Sequence, residues 1–213
     1  MNTICWYYDV RELQDPLAFS KGIELLPWED RREKIRRFHF DQDKRLCLGA
    51  GLLAAYALKL AGAADLHIRK TKNGKPELSD CPDLHFNISH SGTLAVCAVS
   101  NRSIGVDVEK EQDIDINHFK QCFQQEEIAW IHGCENFIHA FFRLWTRKES
   151  YLKRLGTGLL SPPDSISVIP EFSMTERKFF SEFNIMNHQI CVSTSETEEV
   201  ILKRWDGLYS IEV

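Results

Sequence analysis

The chain has 213 residues, 43% of them hydrophobic and 27% charged, an ordinary globular composition that argues against disorder and leaves ample length for a core. A formal charge of −5 argues against bulk attraction to nucleic acid or an anionic membrane, so any basic site has to be local. There is no basic segment leading into an apolar one at the start and no apolar run long enough for a membrane span. The seven scattered cysteines, without a C-x-x-C pair, fit reduced thiols, and we expect a soluble, cytoplasmic protein.

Thr3 to Val10 is rich in β-branched and aromatic residues and reads as a strand, and Asp15-Pro16 marks a turn. Pro27 opens a short helix, Trp28 to Phe38, carrying Arg31, Arg32, Lys34, Arg36 and Arg37, the densest positive charge in the chain. Most charge runs are solvated helix faces, yet on an acidic chain a concentrated cationic patch is the natural place to hold an anion. Asp41 to Ala61 reads as a long helix with an apolar stripe through Leu46, Leu53, Ala57 and Leu60, stopped at Gly62. Arg45 in its first turn opposes the helix dipole, which an anion to bind explains better than helix stability does.

Leu66 to Lys70 reads as a strand, and Lys72-Asn-Gly-Lys75-Pro76 as a turn that offers another cation. Leu84 to Ile88 and Leu94 to Val99 are strands separated by Ser89-His90-Ser91-Gly92, which has the composition of a hairpin loop and enough donors to face phosphate oxygens. In Ile104-Gly-Val-Asp-Val-Glu109 the strand period places Ile104, Val106 and Val108 on one face and Asp107 and Glu109 on the other. Two carboxylates on one face suit Mg²⁺, which takes one or two carboxylates plus phosphate oxygens; taken alone, those six residues fit a solvated strand face better.

Asp115 caps a helix through Phe119 and Phe123, and Glu126 and Glu127 stand near the start of the next turn, where acidic residues are favourable in any case. Phe137 to Leu155 is the second long helix, with Phe141, Leu144, Trp145, Lys148, Tyr151, Leu152 and Leu155 on one stripe and Lys148 expected to snorkel. Glu149 and Lys153 flank that stripe one turn apart, the spacing of an ordinary surface ion pair. Gly156 and Ser161-Pro162-Pro163 stop the helix. Ser165 to Ile169, Lys178 to Ile185, Gln189 to Thr194, Val200 to Trp205 and Leu208 to Val213 read as strands.

The order of elements recurs. Helix 41–61, strand 66–70 and a hairpin beginning Phe86-Asn87-Ile88 are echoed by helix 137–155, strand 165–169 and a hairpin beginning Phe183-Asn184-Ile185. The expected fold is α+β in two similar halves, 1–103 and 104–213, each a small antiparallel sheet packed on one long helix. Arg45, Lys75 and His90 fall in the first half, Glu127, Glu149 and Lys153 in the second, and Asp107 and Glu109 near the join. A cleft between the halves would gather them.

The ordered set Gly74-Lys75-Pro76, Phe86-Asn-Ile-Ser89-His90-Ser91-Gly92, Ile104-Gly-Val-Asp107-Val-Glu109 and Trp145-Thr-Arg-Lys148-Glu149-Ser-Tyr-Leu-Lys153 resembles the 4′-phosphopantetheinyl transferases of the surfactin type, and the resemblance runs from the basic helix to about Pro170. It implies a pseudo-twofold α+β monomer that moves the phosphopantetheine arm of coenzyme A onto a serine of an apo acyl or peptidyl carrier protein with Mg²⁺, releasing adenosine 3′,5′-bisphosphate. By motif match, Asp107, Glu109 and Glu149 are the metal-linked carboxylates, with Glu127 close by. Lys153 meets the diphosphate, and Ser89, His90, Arg45, Lys75 beside Pro76, Arg31 and Lys34 hold the 3′-phosphate and diphosphate.

The chemistry of the residues agrees with this. Diphosphate cleavage needs its charge neutralised, and a serine hydroxyl needs a base, for which Glu149 is the first choice and Glu127 the second. No Ser/His/Asp or Cys/His arrangement is evident, so direct transfer fits better than a covalent intermediate. Apolar residues around Cys122, Phe123, Ile128 and Trp130 would receive a carrier helix, or are ordinary core. A Mg²⁺-dependent phosphohydrolase and a silent coenzyme- or carrier-binding module are the alternatives from other classes.

Overall fold

The computed structural model describes residues 2–157, 161–170 and 178–210. β1 (Thr3–Asp9) lies antiparallel to β5 (Leu94–Ser100), β5 pairs with β4 (His85–Ser91), and β9 (Val200–Arg204) runs parallel to β1, giving the order β4-β5-β1-β9. A second sheet has the order β6-β8-β7, from Gly105–Lys110, His188–Thr194 and Phe179–Ile185. Its chain order, first strand beside the last of a hairpin, matches that of β1-β5-β4. The short strands β2 (Ile68–Lys70) and β3 (Pro76–Leu78) form a separate ribbon.

The helix α3 (Asp41–Leu60) covers the outer face of the first sheet. Leu46, Leu53 and Leu58 pack there with Trp6, Tyr8, Cys97 and Val99. The inner faces meet each other: Cys5, Leu94, Val96 and Ala98 bury against Val106, Val108, Ile190 and Val192. β5 is therefore buried on both faces along its whole length, which its unbroken apolar sequence Leu-Ala-Val-Cys-Ala-Val anticipates. The helix α5 (Phe137–Leu155) packs on the second sheet, and its aromatic stripe joins Phe123 and Ile131 of the segment holding α4 (Gln125–Gly133) in a third core. Phe123 is 5% exposed there, so the core reading of that residue holds.

Four local expectations change. Asp15-Pro16 is not only a turn: Asp15 accepts from Leu17 N and Pro16 occupies the first position of α1 (Pro16–Leu25), where its missing N–H costs nothing. Ser89-His90-Ser91 belongs to β4, and the turn narrows to Gly92 (φ 58°) and Thr93. Residues 165–169 form no strand: Pro163–Ser165 is a 3₁₀ turn, and the residues after it join neither sheet. Gly207–Ser210 is likewise a 3₁₀ turn, and 211–213 lie outside the described residues. The basic α2 (Glu29–Arg37) comes out as expected, and no described helix is long and apolar enough to cross a membrane.

Candidate functional site

β4 and β6 are edge strands of different sheets, and side chains rather than a backbone ladder join them. Asn87 accepts from Val106 N at 2.9 Å, Ser89 Oγ donates to Asp107 Oδ1 at 2.8 Å, and Ser91 Oγ donates to Glu109 Oε2 at 2.7 Å. The two-residue spacing on both strands makes this register possible. The polar face of β4 thus meets the acidic face of β6, and Asp107 is 2% exposed rather than solvated.

The third wall is α5. A Cβ at Gly105 would stand 2.0 Å from Ser150 O and 2.4 Å from Arg154 N, so only glycine lets the strand and helix backbones approach this closely. That approach delivers Lys153, whose Nζ donates to Asp107 Oδ1 at 2.5 Å and to Ser89 Oγ at 3.0 Å. Lys153 is therefore paired across the join and not with Glu149 one turn before it. Glu149 and Trp145 face the same cleft, of about 410 Å³, which Arg31, Lys34 and His90 close from the first half. A neighbouring cavity of about 350 Å³ shares Ile88, Glu149 and Lys153 with it and continues to Gly74, Leu152 and Pro163.

Of the cations on α2, the helix's own acids take three. Arg32 and Arg36 pair with Glu29, and Arg37 pairs with Glu33. Arg31 and Lys34 are the two that reach the cleft, Arg31 with its guanidinium anchored on Cys47 O at 3.0 Å. Loss of water around His90, and then the charges of Arg31, Lys153 and Lys34, hold its proton affinity below that of an ordinary imidazole. Burial raises the proton affinity of Glu109 and of Glu149, and the charge of Asp107 raises both further against the opposing pull of Lys153. A site with cations at one end and charge-crowded carboxyls at the other is suited to a polyanion that also brings a metal.

Several expected site residues stand elsewhere. Glu127 is fully buried, with Oε2 at 2.7 Å from Lys148 Nζ and 2.9 Å from Gln124 N, and Oε1 accepting from Val168 N at 3.0 Å. Lys148 does not snorkel: its other protons go to Pro163 O and Ile166 O at 2.8 and 2.6 Å. Both oxygens of Glu127 are thus engaged by the fold. Lys75 Nζ turns to Ile104 O and Arg154 O at 3.1 and 2.9 Å, and burial lowers its pKa to about 8; it and Pro76 line the neighbouring cavity instead of the cationic end. Arg45, in the first turns of α3, does not line the cleft. Conversely, Trp145 and Ser91 face or bind Glu109 although their pattern reads as apolar stripe and hairpin loop; the two-residue spacing of Ser89 and Ser91 was the available signal for the second.

Among the described residues, no group of three or more His, Cys, Asp or Glu side chains is close enough to hold a metal ion as it stands. The donor chemistry nevertheless fits a hard divalent cation. The cleft offers carboxylate oxygens, and one of them, Asp107 Oδ2, is buried without a hydrogen-bond partner.

The chain matches the 4′-phosphopantetheinyl transferase superfamily model over residues 103–202 and the model for the N-terminal part of 4′-phosphopantetheinyl transferases over residues 16–102. It is 38% identical over 144 residues to a 4′-phosphopantetheinyl transferase of Bacillus subtilis, covering 65% of this chain and 64% of that protein. It is 35% identical over 161 residues to the 4′-phosphopantetheinyl transferase ffp of Bacillus subtilis, 72% and 71% of the two chains. With the 4′-phosphopantetheinyl transferase HetI of a Nostoc species it shares 31% over 188 residues, 78% and 76% of the two. The chain belongs to the 4′-phosphopantetheinyl transferase family. The matched stretch spans just under two thirds of the first of these relatives, and the cleft draws residues from both matched segments.

Proposed function

We propose that the protein transfers the 4′-phosphopantetheine arm of coenzyme A to a serine hydroxyl of an apo acyl or peptidyl carrier protein and releases adenosine 3′,5′-bisphosphate. The observation that carries this reading is the single cleft in which Arg31, Lys34 and His90 face Asp107, Glu109, Glu149 and Lys153. In it the cationic end receives the 3′-phosphate, for which the planar guanidinium of Arg31 is matched. Lys153 and Ser89 meet the diphosphate. Asp107, Glu109 and Glu149 are the residues that would hold Mg²⁺, which when bound neutralises charge on the diphosphate. Glu149 takes the proton from the incoming serine hydroxyl, a role favoured by its raised proton affinity and its place in both cavities. The serine oxygen then forms the new bond to the phosphorus that bears the pantetheine, and the bond from that phosphorus to the bisphosphate breaks.

This reading includes a monomer with two halves, 1–103 and 104–213, of common pseudo-twofold origin. The matching strand order of the two sheets supports the echo, while β9 returns from the second half to the edge of the first sheet. Intact-mass spectrometry of several apo-carriers incubated with the protein, coenzyme A and Mg²⁺ tests the function. A gain of one phosphopantetheine on the carrier serine is expected. Nucleotide release that proceeds equally without a carrier would establish a hydrolase, and no mass gain on a broad carrier panel would favour a silent binding module.

A further inference from the structure

Asp107 is a carboxylate with almost no access to water, its side chain 3% exposed, and a buried charge requires a counter-charge nearby. Lys153 supplies it. Its ammonium lies 2.5 Å from Oδ1, on the face of β6 that Glu109 shares, while Ser89 holds both partners at 2.8 and 3.0 Å. Among the described residues neither Glu109 nor Glu149, which line the same cleft, has an ion pair. Of the three carboxylates lining the cleft, Lys153 neutralises Asp107 directly, a place on that carboxylate that a divalent cation would otherwise take. The free oxygen Asp107 Oδ2 leaves a coordination position open next to the occupied one.

We propose that Lys153 is an internal stand-in for the metal. Before substrate arrives it occupies the cation position at Asp107, and a divalent ion takes up the carboxylates tightly only when Lys153 moves off Asp107 to another anion. The inference rests on the metal reading of Asp107, Glu109 and Glu149 given above. Lys153 can make the exchange because its side chain is 30% exposed and stands on α5 facing the cleft, so a diphosphate entering there offers it a new partner without movement of the helix. Metal and coenzyme would then bind with positive coupling, each favouring the form from which Lys153 has been released.

The test uses Mn²⁺ as the probe, followed by its electron paramagnetic resonance signal on the full chain without coenzyme A. Lys153→Met removes the competing charge and is expected to bind Mn²⁺ about ten- to a hundredfold more tightly than the parent, the worth of one charge-assisted contact. Lys153→Arg, which retains the cation, is expected to show no such gain, and Asp107→Asn introduced into Lys153→Met is expected to abolish it. Thermal melting confirms that each variant is folded, and Lys153→Gln serves should Lys153→Met fail to fold. Equal or weaker Mn²⁺ binding by the folded, charge-neutral variant would overturn the proposal. If the parent still modifies a carrier in the presence of Mg²⁺, only the stand-in role fails; if it modifies none, the functional reading fails with it.

Discussion

Glu127→Gln separates a catalytic from an architectural role for a residue that the family motif places near the chemistry. Glu127 and Lys148 have no exposed side-chain surface, and between them they engage Gln124 N, Val168 N, Pro163 O and Ile166 O. Burial lowers the proton affinity of Lys148, and its hydrogen bond and charge contact with Glu127 push the other way, so the ammonium depends on that partner. Removing one member of a fully buried pair leaves the other uncompensated and costs about 3–5 kcal/mol. For a chain of this size each kcal/mol moves the melting temperature by about 2–4 °C, so Glu127→Gln should melt roughly 6–20 °C below the parent. Turnover per folded molecule at low temperature should fall far less than stability does. Circular dichroism melts paired with the carrier mass assay measure both. A variant that melts within about 2 °C of the parent yet has lost turnover would refute this reasoning and make Glu127 part of the chemistry.

Gly105→Ala should force β6 and α5 apart, lowering stability by about 1–3 kcal/mol and slowing transfer at least about tenfold by displacing Lys153 and Glu149 from Asp107; unchanged melting and turnover would contradict the close approach. Glu149→Gln should cut kcat by about two to four orders of magnitude, with little change in coenzyme A binding measured by calorimetry in the absence of metal, and retention of turnover would remove Glu149 as the base. Because His90 binds a proton less readily in the cationic cleft than in the unfolded chain, stability of the empty protein should fall as pH drops below about 6.5 and be fully regained above it. A bound phosphate reverses that field, so coenzyme A should bind more tightly at pH 6 than at pH 8 with proton uptake, seen by calorimetry in buffers of different ionisation heat; its persistence in His90→Gln would place the titrating group elsewhere.

Periodicity and punctuation were enough to locate α3 and α5 within a residue, since each carries an apolar stripe and a glycine beyond its end, Gly156 taking the left-handed φ of 68°. Alternation likewise put Asp107 and Glu109 on one face of β6 and Val106 and Val108 on the other, and both are as read. What a periodic pattern cannot contain is the identity of the neighbour across that face. The β4 side chains and the α5 backbone come from distant parts of the chain, and they turned an apparently solvated carboxylate into a buried one held by Lys153. The same holds for cations that look alike in sequence: Arg31 and Lys34 reach the cleft while Arg32, Arg36 and Arg37 meet acids of their own helix, and Lys75 is drawn to two carbonyls near the end of α5. Local propensity sets which face of an element is apolar, but charge pairing depends on distances of a few ångströms across elements, and only tertiary packing decides those.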